Sequence, residues 1–355
     1  MSQYVEDWER TKQAYHAWWA GESKHPLVQA YAPRAGVAEH YGWDFFWFLR
    51  YKEKWREGPE HVRRFAATTY FGGEALPTVC PNFGAGSLSA YYCGYLSYDA
   101  FNNTAWLEYP QPWDKVEALE FNENEPWWRY TVDVTRLMVE DSRGDYFVGM
   151  TDIGGILDVA ASLRGTNELL MDLIHEPERV KRLSDRLEVS WMKVYNALDA
   201  IIHGPQEGMT NWMGMWAPGT CYPLQCDFCA MVSPAHFEEF VAPSLQRQCQ
   251  TLEFPIYHWD GPGQIPHLDY LLEIPELLAI QWVPGAGTPA CDSPDWLPLY
   301  ERILAKGKRI ILQQFDDIRG VSRTLKSLSR PELALVTVGL GSEAEARDFV
   351  KGLQQ

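Results

Sequence analysis

Phe254-Pro255-Ile256-Tyr257-His258-Trp259-Asp260-Gly261 starts as a short apolar run and ends on an imidazole, a carboxylate and a glycine. Side chains along a strand alternate between its two faces, so His258 and Asp260 project to the same side. Side by side at a strand's C-terminal end, they can hold a metal, polarise a substrate or move a proton. The plainer roles are a strand cap at His258 and a turn-shaping carboxylate at Asp260. Near-continuous apolar runs of similar length recur at Leu27 to Ala32, Tyr146 to Met150, Thr210 to Trp216, Leu278 to Trp282, Arg309 to Gln313 and Leu335 to Gly339. That character suits parallel strands covered on both faces.

Helical periods lie between these runs. Val180, Leu183, Leu187, Trp191, Val194 and Leu198 recur at three- or four-residue steps, the spacing of one helix face. Ser233-Pro234 reads as an N-cap with Pro at the first helical position, turning Phe237, Phe240 and Val241 inward. Strands alternating with helices make βαβ units, and seven or eight of them close most naturally into a (β/α)₈ TIM barrel. The expected fold class is therefore α/β, one barrel over residues 1–355, with an N-terminal helix within 1–25. The Pro- and Gly-bearing region 33–144 reads as an elaborated first connection over the barrel mouth.

The chain has 355 residues, 46% apolar and 22% charged, with a formal net charge of −17. Such acidity speaks against nucleic acid or an anionic membrane as partner. No apolar run approaches the ~18 residues of a membrane span. The seven cysteines are odd in number and scattered, unlike a secreted disulfide framework. Together with an N-terminus lacking signal-peptide layout, they place the expected protein in the cytoplasm. Sixteen Trp and eighteen Tyr imply core or subunit interface, and hence a homodimer, more readily than a ligand platform.

Four segments carry a family resemblance. Asp152-Ile153-Gly154-Gly155, then Leu163-Arg164-Gly165 and Glu176-Pro177-Glu178-Arg179-Val180, form one. Ser233-Pro234-Ala235-His236-Phe237 with Phe240-Val241-Ala242-Pro243 forms another, His258-Trp259-Asp260-Gly261 the third, and Asn82 to Gly86 with Gly94 the fourth. In order and spacing they resemble the uroporphyrinogen decarboxylase superfamily, which includes the methylcobamide:coenzyme M methyltransferases, in an uncharacterised branch. The resemblance implies a barrel with its active site at the C-terminal mouth.

In the decarboxylase branch an N-terminal Arg-rich segment binds substrate carboxylates. Ala32-Pro33-Arg34 offers one Arg there, which speaks against a many-carboxylate porphyrinogen. The methyltransferase branch holds zinc through a His-x-Cys pair and a later Cys, and zinc there activates the acceptor thiol. His258 matches the first ligand, but Asp260 stands where the Cys would be and no Cys follows Cys291. Cys226 or Cys229 is the expected source of a third ligand. The implied methyl donor is a corrinoid on a small partner protein.

Other strand ends supply further candidates. Asp152 follows an apolar strand and precedes two glycines, so it reads as catalytic or as a helix cap. Asp227, between Cys226 and Phe228, reads as catalytic or as a loop-bonding carboxylate. Arg34, Asn82, Trp216, Gln281 and Gln313 are the expected substrate-binding residues. Cys221-x₄-Cys226-x₂-Cys229 repeats an iron–sulfur spacing but lacks the surrounding small-residue loop. Three rivals to the methyltransferase stay open: a metal-independent decarboxylase or other lyase of a small acid using Arg34, a glycoside hydrolase pairing Asp152 with Asp227 or Asp260, and a non-catalytic ligand binder.

Overall fold

The computed structural model of the protein describes residues 3–99 and 104–353. Its strands are β1 (Leu27–Pro33), β2 (Thr69–Gly73), β3 (Thr78–Val79), β4 (Ser97–Asp99), β5 (Thr104–Trp106), β6 (Phe147–Val148), β7 (Met209–Thr210), β8 (Trp216–Ala217), β9 (Cys221–Gln225), β10 (Phe254–Asp260), β11 (Ala279–Val283), β12 (Arg309–Leu312) and β13 (Ala334–Gly339). One continuous sheet runs β2-β1-β13-β12-β11-β10-β9. It is parallel throughout except where β2 lies antiparallel to β1. Parallel strands buried on both faces need no polar alternation, and β12 is wholly buried through Arg309, Ile310, Ile311 and Leu312.

A second arc consists of the parallel pair β3–β6. Gly149 N donates to Val79 O, and Met150 N to Thr210 O, carrying this arc on to β7. Side chains join it to the main sheet: Gln29 Nε2 donates to Gly214 O and Asn211 Nδ2 to Cys221 Sγ. Strand pairing among the described residues therefore gives a seven-stranded mixed α/β sheet and a separate arc, not the closed eight-stranded ladder expected from the sequence.

Two expected elements differ. The run Thr210 to Trp216 is no strand: β7 and β8 pair antiparallel around a turn, in which Gly214 takes φ +71. Strand β9 lies where the sequence reads as a loop between Trp216 and the Ser233 helix, and Pro223 inside it removes a ladder donor. It is tolerated because β9 is the last strand of the sheet, where one side has no ladder to break. Besides the helices and loops expected of region 33–144, it contributes strands: β2 extends the main sheet beside β1 and β3 pairs with β6.

The long helix Pro177–Ile202 buries the expected stripe from Val180 to Leu198. Ser233 caps its helix as read, its hydroxyl accepting from His236 N. Helix Trp8–Ala20 starts on an Asp7 cap and stops at Gly21, whose φ of +75 glycine adopts without Cβ strain. It lies across the N-terminal ends of the strands. Arg309 at the start of β12 donates to Trp18 O, and Trp19 packs 5.1 Å from Phe254, the first residue of β10. The aromatic clusters are mainly core: Trp18, Trp19, Phe46, Trp47, Phe48 and Trp128 are buried, while Phe45 remains 39% exposed.

Candidate functional site

The opposite, C-terminal ends of the strands carry the polar groups. On β10, His258 lies in register between Gln225 of β9 and Gln281 of β11. Asp260 follows one pleat later, and Gly261 N closes the strand on Val283 O. Asp227 opens a 3₁₀ turn (Asp227–Met231) directly after β9. The half-buried carboxylate of Asp158 pins that turn by accepting from the amides of Asp227 (3.1 Å) and Phe228 (2.7 Å). Burial and the neighbouring charge of Asp227 raise the Asp158 carboxyl above its ordinary range. Ligand atoms of Asp227, His258 and Asp260 lie within 4.8 Å of one another. Asp227 is exposed and the other two are half-buried, so the group opens to solvent. One imidazole and two carboxylates with a free side suit zinc or another first-row divalent ion.

Asp152 stands on the adjoining wall. Its Oδ1 accepts from Gly154 N (3.0 Å), Gln225 Nε2 (3.0 Å) and Tyr222 OH (3.4 Å). The turn behind it needs both glycines. A Cβ on Gly154 would lie 2.3 Å from Gly86 Cα, and one on Gly155 2.2 Å from Gln225 O. Trp191 Nε1 donates to Gly154 O from the long helix and holds the turn in place. Burial pushes the Asp152 carboxyl up to about 7, with His258 opposing and Asp227 reinforcing the rise. Asp260 is raised for the same reason, burial, again opposed by His258.

A row of uncharged polar side chains continues from His258 across the strands. Nδ1 of His258 sits 2.5 Å from Gln281 Oε1. Gln281 Nε2 donates to Gln313 Oε1 at 2.7 Å, and Gln313 Nε2 reaches Thr337 Oγ1 (2.8 Å) and Met213 O (3.0 Å). Thr337 Oγ1 donates to Gln29 Oε1 at 2.7 Å. Gln313 and Thr337 also line a cavity of about 250 Å³ walled by Tyr31, Trp43, Phe45, Phe65 and Trp212. Trp212 meets the His258 ring edge-on at 6.4 Å, so cavity and imidazole are neighbours.

Of the expected residues, Asp152, Asp227, His258, Asp260, Gln281 and Gln313 share this mouth. Four others serve elsewhere. The Arg34 guanidinium donates to the carbonyls of Tyr4 and Thr69, so backbone oxygens take up the expected substrate cation. Asn82 is buried and its Oδ1 accepts from Gly84 N, shaping its own turn. Cys226 is buried, with its thiol pushed far up by burial. It lies outside the imidazole–carboxylate group, whose third member is Asp227.

Trp216 is at the wrong end. Its indole packs on Trp8, Tyr15 and His16 beneath the strands and donates to Glu207 O. Trp216→Ala is expected to lower unfolding free energy by about 3–5 kcal/mol while leaving metal affinity at the mouth unchanged. Urea denaturation and metal titration of the same preparation check both halves. Tyr222, Gln225, Asp158, Thr337 and Gln29 escaped the sequence reading. The signal for Gln29 and Thr337 was a lone polar residue in an otherwise apolar strand, which must find a partner on burial.

The sequence matches no protein-family profile and no curated protein. Among solved structures, a methyltransferase from Methanosarcina mazei superposes with a TM-score of 0.61 over 97% of each chain, at 13% identity. The likeness is one of fold. No helix among the described residues is long and apolar enough to cross a membrane.

Proposed function

We propose that the protein is a corrinoid-linked methyltransferase acting on a small acceptor, assisted by a divalent metal held by Asp227, His258 and Asp260. The observation that carries this reading is the convergence of those three side chains from two strand ends within 4.8 Å. The fold likeness to a methyltransferase supports the reaction class, and on that likeness we read the six parallel strands of the main sheet and the β3–β6 pair as one (β/α)₈ ring. A bound zinc would lower the pKa of the acceptor's thiol to give the nucleophile. Asp227 and Asp260 would take the place of the two thiolates in the pattern the sequence resembles, so that with His258 three side chains of this protein would hold the ion.

The chain's own residues do the rest. The aromatic cavity beside His258 receives the acceptor's apolar part, and no Lys or Arg among the described residues lines it, which favours an uncharged acceptor. Asp152, poised near neutrality, takes the proton the acceptor releases, and general bases work best with a pKa near the working pH. The donor arrives at the mouth on a corrinoid protein, and the enzyme works in the cytoplasm as a homodimer. Both the lyase reading and a small-acid substrate depended on Arg34, which is committed to carbonyls.

Zinc-loaded protein mixed with methylcobalamin and a panel of uncharged thiols should show metal-dependent loss of the methylcobalamin absorbance. Unchanged spectra across the panel, with zinc shown to be bound, would sink the methyltransferase reading.

A further inference from the structure

We propose that Gln281, Gln313, Thr337 and Gln29 form a one-directional hydrogen-bond relay. It positions His258 with its proton on Nδ1 and leaves the ring's lone pair on Nε2 for an incoming cation.

The direction follows from the far end, where there is no choice. A carbonyl oxygen only accepts, and Tyr15 OH sits 3.1 Å from Glu74 O, so Tyr15 spends its single proton there. Its oxygen must then accept from Gln29 at 2.9 Å. The same amide group of Gln29 lies 2.8 Å from Gly214 O, which also demands an NH₂. Gln29 therefore turns its oxygen to Thr337, and Thr337 donates. With that proton spent, Thr337 accepts from Gln313, whose NH₂ is fixed a second time by Met213 O. Gln313 is left to offer Oε1 to Gln281, so Gln281 offers Nε2 to Gln313 and Oε1 to His258. An amide oxygen cannot donate, so Nδ1 of His258 must carry hydrogen. The neutral ring has one N–H, and Nε2 holds the electron pair.

Amide oxygen and nitrogen are alike in shape and are ordinarily assigned from their surroundings. Here backbone carbonyls at both Gln29 and Gln313 make that assignment. Reversing the row would leave buried oxygens facing oxygens, at roughly 1–3 kcal/mol for each unsatisfied group. Gln29 is fully buried and Gln281 nearly so. Polar groups there are costly unless every member is satisfied. The strands supply the order: Gln29 faces Thr337 and His258 faces Gln281 directly across the ladder. Gln281 and Gln313 act through His258, so they are positioning residues, while Thr337 and Gln29 repeat the orientation that Met213 O already gives Gln313.

The consequence for metal binding rests on the function proposed above, whereas the tautomer does not. The experiment is long-range ¹H–¹⁵N correlation of the imidazole nitrogens in metal-free protein at about pH 8.5, above the ordinary histidine range. The His258 signals are assigned by their loss in His258→Gln. Wild type should show the Nδ1–H form. Gln281→Leu should shift the population toward Nε2–H and weaken zinc binding by ~10–100-fold, the usual effect of losing such an outer partner. Thr337→Val should leave the tautomer in place, because Met213 O alone still orients Gln313.

An Nε2–H ring in wild type, or an unchanged ratio in Gln281→Leu, overturns the relay. If Gln281→Leu does not fold, the wild-type spectrum still decides, and Gln313→Leu serves as the second variant. The Nδ1–H form in a wild-type protein that binds no zinc upholds the relay and removes the metal from the proposed function. Zinc binding by an Nε2–H ring does the reverse.

Discussion

His258→Ala is expected to abolish the stoichiometric zinc binding proposed here and, with it, metal-dependent methyl transfer. The expected loss of affinity exceeds the ~10–100-fold that accompanies loss of an outer partner alone, because this variant removes a ligand and leaves two carboxylates to face one another. Asp227 and Asp260 lie within 4.8 Å of the imidazole and of each other. With the ring absent, only the two carboxylates remain to hold an ion. Isothermal titration with zinc, and with cobalt as a coloured substitute, reads the effect directly. Wild-type affinity in His258→Ala would show that the imidazole is no ligand and would return His258 to a cap on β10. Far-ultraviolet circular dichroism should stay unchanged, since His258 is half-buried at a strand end and not part of the packed core.

Asp152→Asn should separate two consequences of one carboxyl. Its pKa stands at about 7 in the fold against an ordinary 3.8, chiefly through burial. Between about pH 4 and pH 7 the folded state therefore holds more protons than the unfolded chain. Stability falls as pH rises through that window and levels off above it. One pKa unit corresponds to ~1.4 kcal/mol, so the ionised carboxyl costs on the order of 2–4 kcal/mol at about pH 8, allowing for its partial exposure. The amide removes that cost. All three donors to Asp152 meet at Oδ1, and an Asn oxygen can accept from each of them.

Asp152→Asn is thus expected to match wild type in urea at about pH 4 and to exceed it by a few kcal/mol at about pH 8. Methyl transfer in the same variant should drop by roughly 10²–10⁴, the usual worth of a positioned base. Parallel stability curves would contradict the burial argument. Undiminished turnover would remove Asp152 from the chemistry.

Much of the frame was readable because parallel strands advertise themselves. Leu27 to Ala32 and Arg309 to Gln313 are apolar on both faces and appear within one or two residues of their expected bounds. Readings failed where a local rule was overruled by position in the sheet. Pro223 argues against a strand everywhere but at an edge, and β9 is that edge. Thr210 to Trp216 has strand composition, yet Asn211 Oδ1 accepts from Met213 N and folds the segment back on itself. His258, Asp260, Asp152 and Asp227 were findable because a charged residue after an apolar run is conspicuous. Tyr222 and Gln225 were not, because both lie in the strand that Pro223 concealed. Arg34 and Trp216 show the converse. Residue type suggested a ligand, but carbonyl partners and indole packing decide where those side chains are spent.

Helix Trp8–Ala20 shuts the floor beneath the strands, with Tyr15, Trp18 and Trp19 buried against them. On the proposed reading, a molecule that reaches the cavity beside Trp212 has packed aromatic rings at the far end of the strands and the polar mouth as its approach. If the proposed transfer holds, a second reactant too bulky to fit inside would hand over its group at that threshold, and the traffic there would run in turns.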